Sequence, residues 1–249
     1  MQVVLYVIIG FFAQLIDGTL GMAYGVSCRT FLNTFAKIPS GVVSAVVHYA
    51  EIPTSFTSMI CHIKYKNIDK KLFMNLLIPG IIGSVIGAYI ITFSFNFIEL
   101  IIDIYLILMG IIVFSKGLNK IKRNSITSNK VYIRFLGFIG AFFDASGGGG
   151  WGPIVTGSLL TGSDNPKKTI GTVNSSEFFV TLSSSIAFVI LITNIKQYIL
   201  IIIGLIIGGV IASPIAVKLC QKFEEKRLYF VVGLLLIVLN LYNIYLIII

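Results

Sequence analysis

Four consecutive glycines, Gly147 to Gly150, interrupt a long apolar stretch; Asp144-Ala145-Ser146 precede them and Trp151-Gly152-Pro153 follow. Each glycine costs roughly 1 kcal/mol relative to alanine inside a helix, so four in a row end one. Apolar residues still flank the break on both sides, from Val131 to Phe143 and from Ile154 to Leu160. A backbone break at membrane depth is tolerated only where it is buried in protein or lines a cavity. The break is therefore the predicted place for a ligand.

The same device occurs earlier in the chain. Asp17-Gly18-Thr19-Leu20-Gly21-Met22-Ala23-Tyr24-Gly25 lies on it at a constant offset of 127 residues. Asp17 falls on Asp144, Gly21 on Gly148, Tyr24 on Trp151 and Gly25 on Gly152. Gly10-Phe11-Phe12-Ala13 matches Gly137-Phe138-Ile139-Gly140, and Pro39 matches Pro166. The chain reads as two copies of one unit, residues 1–118 and 131–249, joined by a basic, polar linker at 119–130. Together they form one membrane domain.

With 56% of residues apolar and 12% charged, the composition fits an all-α polytopic membrane protein and no soluble domain. No signal peptide is separable, because the first apolar segment lacks a basic start and runs straight into the first break. The net charge of +9 reads as basic cytoplasmic loops, since no basic and aromatic patch argues for nucleic acid. Cys28, Cys61 and Cys220 have no metal or redox spacing and read as small apolar residues. No cofactor and no metal is expected.

Apolar segments lie near 3–35, 39–61, 72–94 and 98–116, then 131–161, 166–193, 197–217 and 228–249. If the two broken segments cross the membrane, there are eight crossings and the repeats are parallel. If each enters and returns as a re-entrant hairpin, there are six and the repeats are inverted. Lys and Arg collect in cytoplasmic loops. The hairpin arrangement puts 16 of the 19 on one side and leaves Arg29, Lys37 and Lys196 opposite; eight crossings split them 11 to 8. The expected fold is thus two inverted repeats, each a broken re-entrant helical hairpin plus three transmembrane helices. Both termini are then outside a cell membrane and the linker is inside. Arms of about 12–14 residues, roughly 18–21 Å, bring the hairpin tips together near the midplane.

The arm after each break starts a helix whose N–H groups and dipole favour an anion. The expected anion-binding residues are Gly18, Thr19, Gly21, Tyr24 and Gly25 at the first break. At the second they are Ser146, Gly147, Gly148, Gly149, Gly150, Trp151 and Gly152. Thr19 and Ser146 offer hydroxyl donors, and Tyr24 and Trp151 offer apolar walls. The bland alternative is that these glycines serve helix packing alone. Asp17 and Asp144 either cap the turn or handle protons or substrate directly.

A second repeated pair is His48-Tyr49-Ala50-Glu51 against Asn174-Ser175-Ser176-Glu177, which puts a polar residue and a glutamate on one helix face in each half. Glu51 and Glu177 fall near the membrane centre, where a charge costs about 3 kcal/mol or more. Asp17, His48, Glu51, Asp144 and Glu177 are the proton-coupling candidates, against a purely structural role. Asn174 and Arg29 join the substrate set, Arg29 through its guanidinium unless it only snorkels to the surface. His62 to Asp69 reads as a solvated cytoplasmic loop.

At these residues the sequence resembles the sulfite exporter TauE/SafE family of membrane anion transporters. The resemblance runs from Gln14-Leu15-Ile16-Asp17-Gly18 through Gly25-Val26, His48 to Glu51, Asn67-Ile68-Asp69 and Pro79-Gly80. It continues over Asp144 to Pro153 and Gly171 to Thr181. It implies movement of sulfite, sulfonates or related sulfur-containing anions across the cytoplasmic membrane, coupled to protons; a homodimer is compatible with it. An anion channel using the same helix ends stays open as an alternative. An intramembrane hydrolase is weaker, because Ser146 lacks a G-x-S-x-G setting. Cysteine labelling from each side tests the topology: residues 116–134 should react from the cytoplasm, and an externally reactive position 125 would contradict it.

Overall fold

The computed structural model of the chain describes residues 2–32, 38, 40–90, 104, 107–108, 110–111, 114–115, 118, 129–147, 149–163, 165–191 and 195–248. The described residues form helices and contain no strand. The first half gives α1 (Gln2–Leu20), α2 (Tyr24–Phe31), α3 (Ser40–Lys64) and α4 (Lys70–Ile90). The second gives α5 (Lys130–Gly147), a π-helical turn (Gly152–Thr156) running into α6 (Gly157–Gly162), and α7 (Pro166–Leu191). A 3₁₀ turn (Ile195–Tyr198), α8 (Ile199–Lys222) and α9 (Glu225–Ile248) follow. Most of the expected segment at 98–116 and most of the 119–130 linker, together with Pro39 and Gly148, lie outside the described residues.

Among the described residues, four helical stretches are long and apolar enough to span a bilayer: Val3–Leu20, Lys70–Ile90, Pro166–Leu191 and Ile195–Lys222. Their sequences separate by size as much as by polarity. On α8, Ile203, Ile207, Ile211 and Ile215 point outward, while Gly204, Gly208, Ala212 and Ala216 are buried. Lipid is as apolar as isoleucine, so close backbone packing on the small-residue face, rather than hydrophobicity, holds such helices together. A Cβ at Gly208 would run into the carbonyl of Val7 on α1, and one at Gly83 of α4 into that of Phe138 on α5.

These two glycine-mediated pairs are counterparts. Exchanging the halves turns α1 against α8 into α5 against α4, and it turns α4 against α7 into α8 against α3; all four pairings are present. The pairing of α3 with α7 maps onto itself. Along it, His48 meets Phe188, Phe56 meets Phe178, and His62 meets Gly171. As α3 advances, α7 recedes, so the two counterpart helices run antiparallel.

The breaks differ from the expected short arms meeting tip to tip. α1 has 19 residues and α5 has 18, against eight in α2. At 1.5 Å per residue α1 is about 28 Å long, close to a full hydrocarbon thickness. Asp17 reaches Asn174, about 12 Å inside the start of α7, and Asp144 reaches His48, about 12 Å inside the start of α3. Because α3 and α7 are antiparallel, the tips pass each other and the segments beyond them overlap. Gly152 lies against Met22, whereas Gly149 lies against Gly25 and Val26, so these segments also run in opposite directions.

The stretch expected to be a solvated loop is only partly one. Lys64, Tyr65, Lys66 and Asp69 are exposed, and Asp69 Oδ1 accepts the N–H groups of Lys71 and Leu72 to cap α4. His62 and Asn67 are buried, bonded to each other and pressed against Gly171. Residue composition near a helix end could not reveal this, because the burial comes from α7 in the other half.

Helix packing through backbone contact gives a direct test. Gly208→Val should destabilise the protein by about 1–3 kcal/mol or more, because the obstacle is backbone. Gly157→Ala, whose Cβ would meet only the flexible tip of Leu236, should be nearly neutral. Thermal unfolding in detergent reads both, and equal melting temperatures would contradict the packing account.

Candidate functional site

Asp144, near the end of α5, is the best-connected side chain at the breaks. Its Oδ1 accepts the N–H groups of Gly150, 2.8 Å, and Trp151, 3.0 Å. These are the very donors expected to face an anion, so in this structure the carboxylate holds them. Its Oδ2 lies 3.1 Å from Nε2 of His48 on α3. The other ring nitrogen, Nδ1, is 2.7 Å from the Ser44 carbonyl. A carbonyl only accepts, so Nδ1 carries a hydrogen. The contact between Nε2 and a carboxylate then requires a second proton between them, on one group or the other. His48 and Asp144 are a proton-holding pair by geometry.

The counterpart pair in the other half is Asp17 with Asn174. Asn174 Nδ2 donates to Asp17 Oδ2 at 2.9 Å and to the Asp17 carbonyl at 3.2 Å. The Asp17 carboxyl also meets the Tyr24 backbone N–H of its own break, and Asn174 Oδ1 has no partner among the described residues. Both pairs therefore cross between halves, each tip aspartate being gripped by the polar residue of the opposite repeat.

Glu51 and Glu177 lie between the two pairs, each at most 4% exposed. Glu51 Oε2 accepts from Thr181 Oγ1 at 3.3 Å, again from the other half. Every pair among Asp17, Glu51, Asp144 and Glu177 is close enough to interact electrostatically. Donor atoms of His48, Glu51 and Asp144 lie within 4.8 Å of one another, a set that could surround a cation only by parting His48 from Asp144. Arg29 brings its guanidinium beside Gly147, where the backbone is only half-buried.

The remaining expected residues divide. Gly149 and Gly152 allow the two breaks to touch backbone to backbone, and Thr156 Oγ1 donates to the Gly21 carbonyl at 2.6 Å. Gly21 takes φ +73°, and Ala23 takes φ +92°, a left-handed conformation that costs a residue with a side chain of order 1–3 kcal/mol. Thr19 donates to the carbonyls of Leu15 and Ala216, and Ser146 to that of Phe143. Both hydroxyls are engaged by backbone carbonyls. Trp151 is fully buried, with its ring against Gly80 and Gly140 and its Nε1 donating to the Val173 carbonyl. Tyr24 is buried among Cys28, Val43 and Val47. Gly18 packs against Ala216, and Gly25 against Gly149. Gly148 lies outside the described residues.

The chain matches the family described as Sulfite exporter TauE/SafE over residues 6–243. It is 38% identical over 245 residues to the Probable membrane transporter protein YtnM of Bacillus subtilis (strain 168), covering 96% of this chain and 81% of that one. It is 25% identical over 274 residues to the Probable membrane transporter protein YunE of the same organism, covering 98% of each. No solved structure matches the chain.

The Asp144 contacts predict a graded pair of variants. Asp144→Ala strands two buried N–H groups, which costs about 1–3 kcal/mol each. Asp144→Asn keeps an oxygen for them and should lose less. Equal melting temperatures for the two variants would show that Asp144 does not hold the turn.

Proposed function

The chain belongs to the sulfite exporter TauE/SafE family of membrane transporters, and from that premise we propose that it is a proton-coupled secondary transporter. Its substrates are sulfite, small sulfonates or related sulfur-containing anions. The observation that carries this reading is the His48–Asp144 contact, which requires a proton where the two glycine breaks cross.

Charge supports it further. An anion cannot share a low-dielectric site with four ionised carboxylates. Protons that neutralise Asp17, Glu51, Asp144 or Glu177 therefore travel naturally with it. Asp144 also supplies a way to link the two. Its carboxylate occupies the Gly150 and Trp151 N–H groups that an anion would use. A proton on Asp144 weakens that hold and lets the anion take its place between the breaks, beside Gly147, Gly149 and Arg29. Competition for the same donors is thus the coupling.

The antiparallel course of α3 and α7 supports inverted repeats, because helices related by parallel repeats would run the same way. With the lysine-rich loops inside, both termini are outside. Inverted repeats with broken helices at their interface suit alternating access around one central site.

Uptake of labelled sulfite into proteoliposomes tests the reading. Wild-type flux should saturate and rise with an imposed proton gradient. Glu51→Gln and Glu177→Gln should still fold, and at least one should lose the response to that gradient. Purely voltage-driven, unsaturable conductance would favour a channel and overturn the proposal.

A further inference from the structure

The two halves hold their tip aspartates by unlike means, and the difference is chemical. Asn174 donates an amide N–H to Asp17. Asp144 faces an imidazole nitrogen instead, His48 Nε2, at 3.1 Å. An amide satisfies the aspartate in one half, so holding a break does not by itself require a histidine. What the imidazole adds is a nitrogen lone pair, available whenever its partner carries the proton or the proton leaves.

His48 is set up as a ligand would be. Its Nδ1–H is taken by the Ser44 carbonyl at 2.7 Å, which fixes the tautomer and turns Nε2 inward. Ser44 is anchored in turn on the Ala145 carbonyl, and the ring meets Phe188 edge to face at 5.4 Å between centroids. Facing Nε2 are carboxylate oxygens of Asp144 and Glu51, and the three ligand atoms lie within 4.8 Å of one another. All three residues are at most 4% exposed. Two ligands about 2.1 Å from one ion, at a right angle, stand about 3.0 Å apart. Nε2 and Asp144 Oδ2 already have nearly that separation, and a small rotation brings Glu51 to the same distance from an ion.

We propose that His48, Glu51 and Asp144 form a binding site for a divalent transition-metal ion of the zinc, cobalt or nickel kind. One imidazole with two carboxylates suits these ions, whereas magnesium and calcium take oxygen ligands. Asp17 and Glu177 interact electrostatically with the set and add to the negative field around it. The ion takes the place of the shared proton: the direct His48–Asp144 bond is given up and the proton leaves to water. Residue spacing does not announce the site, because Asp144 comes from the other half. Asp144 Oδ1 holds the Gly150 and Trp151 N–H groups. An ion on Oδ2 fixes the carboxylate there, ties α3 to the second break and keeps those donors from an anion. The ion is therefore an inhibitor, a consequence that rests on the transport reading, as the site itself does not.

The test uses the purified full chain in nanodiscs, with Zn²⁺ or Co²⁺ as the added ion. Equilibrium dialysis should give one saturable Zn²⁺ per chain. Co²⁺ should give a visible spectrum without the thiolate band that Cys28, Cys61 or Cys220 would produce. His48→Asn, which copies the other half, and Glu51→Gln, which keeps the shape, should each weaken binding at least about tenfold. His62→Gln should leave it unchanged. Thermal unfolding without metal shows which variants are folded, and if His48→Asn is not, Glu51→Gln decides. The absence of a saturable ion, a thiolate band, unchanged affinity in either folded variant or an equal loss in His62→Gln would overturn the site. In proteoliposomes, Zn²⁺ should block sulfite uptake over the concentrations at which it binds, and unchanged flux at saturation would overturn the inhibition. If the wild type moves no sulfite without metal, the transport reading fails and the inhibition with it, while the binding measurements still decide the site.

Discussion

The carboxylate at each glycine break of this bundle is held by a polar side chain from the other half of the chain. Breaking a helix at membrane depth releases backbone donors, and Asp144 takes two of them. The carboxylate that does so is then itself a buried charge, and it leans on His48 of α3. Asp17 leans in the same way on Asn174 of α7. Each break thus ends on a side chain of the other half. The interface between the repeats is where the polar groups are, and that is also where a transporter needs them.

The packing around this interface follows from the same constraint. Long helices place the breaks beyond each other, so four carboxylates are spread along the antiparallel α3 and α7 instead of meeting at one point. Small residues on α4 and α8 let these helices approach α5 and α1 at backbone distance. The aliphatic residues on their outer faces, Ile203 to Ile215 on α8 among them, are left to lipid. Size sorting thus fixes which helices touch, and polar sorting fixes where the site lies.

Much of this was legible from residues alone. The duplicated Asp-to-Gly breaks and the His48/Glu51 and Asn174/Glu177 pairs marked every acid that the structure gathers. Their partners were not legible. Nothing in the local sequence tells Asp144 to choose His48, because that contact depends on how the halves pack. The packing of Trp151 was not legible either: Gly80 and Gly140, on two other helices, make a slot for it inside the bundle. His62 and Asn67 looked like loop residues because they adjoin lysines, and only the approach of Gly171 buries them.

The central claim is that anion and proton move together through the crossing of the breaks. The most direct measurement is the internal pH of proteoliposomes, followed with a trapped pH-sensitive dye, when sulfite is added with no proton gradient imposed and with membrane-permeant acid controlled for. The account predicts a sulfite-dependent proton flux in step with the carried anion, which Asp144→Asn uncouples or abolishes. Sulfite flux of normal size with no accompanying proton movement would contradict it.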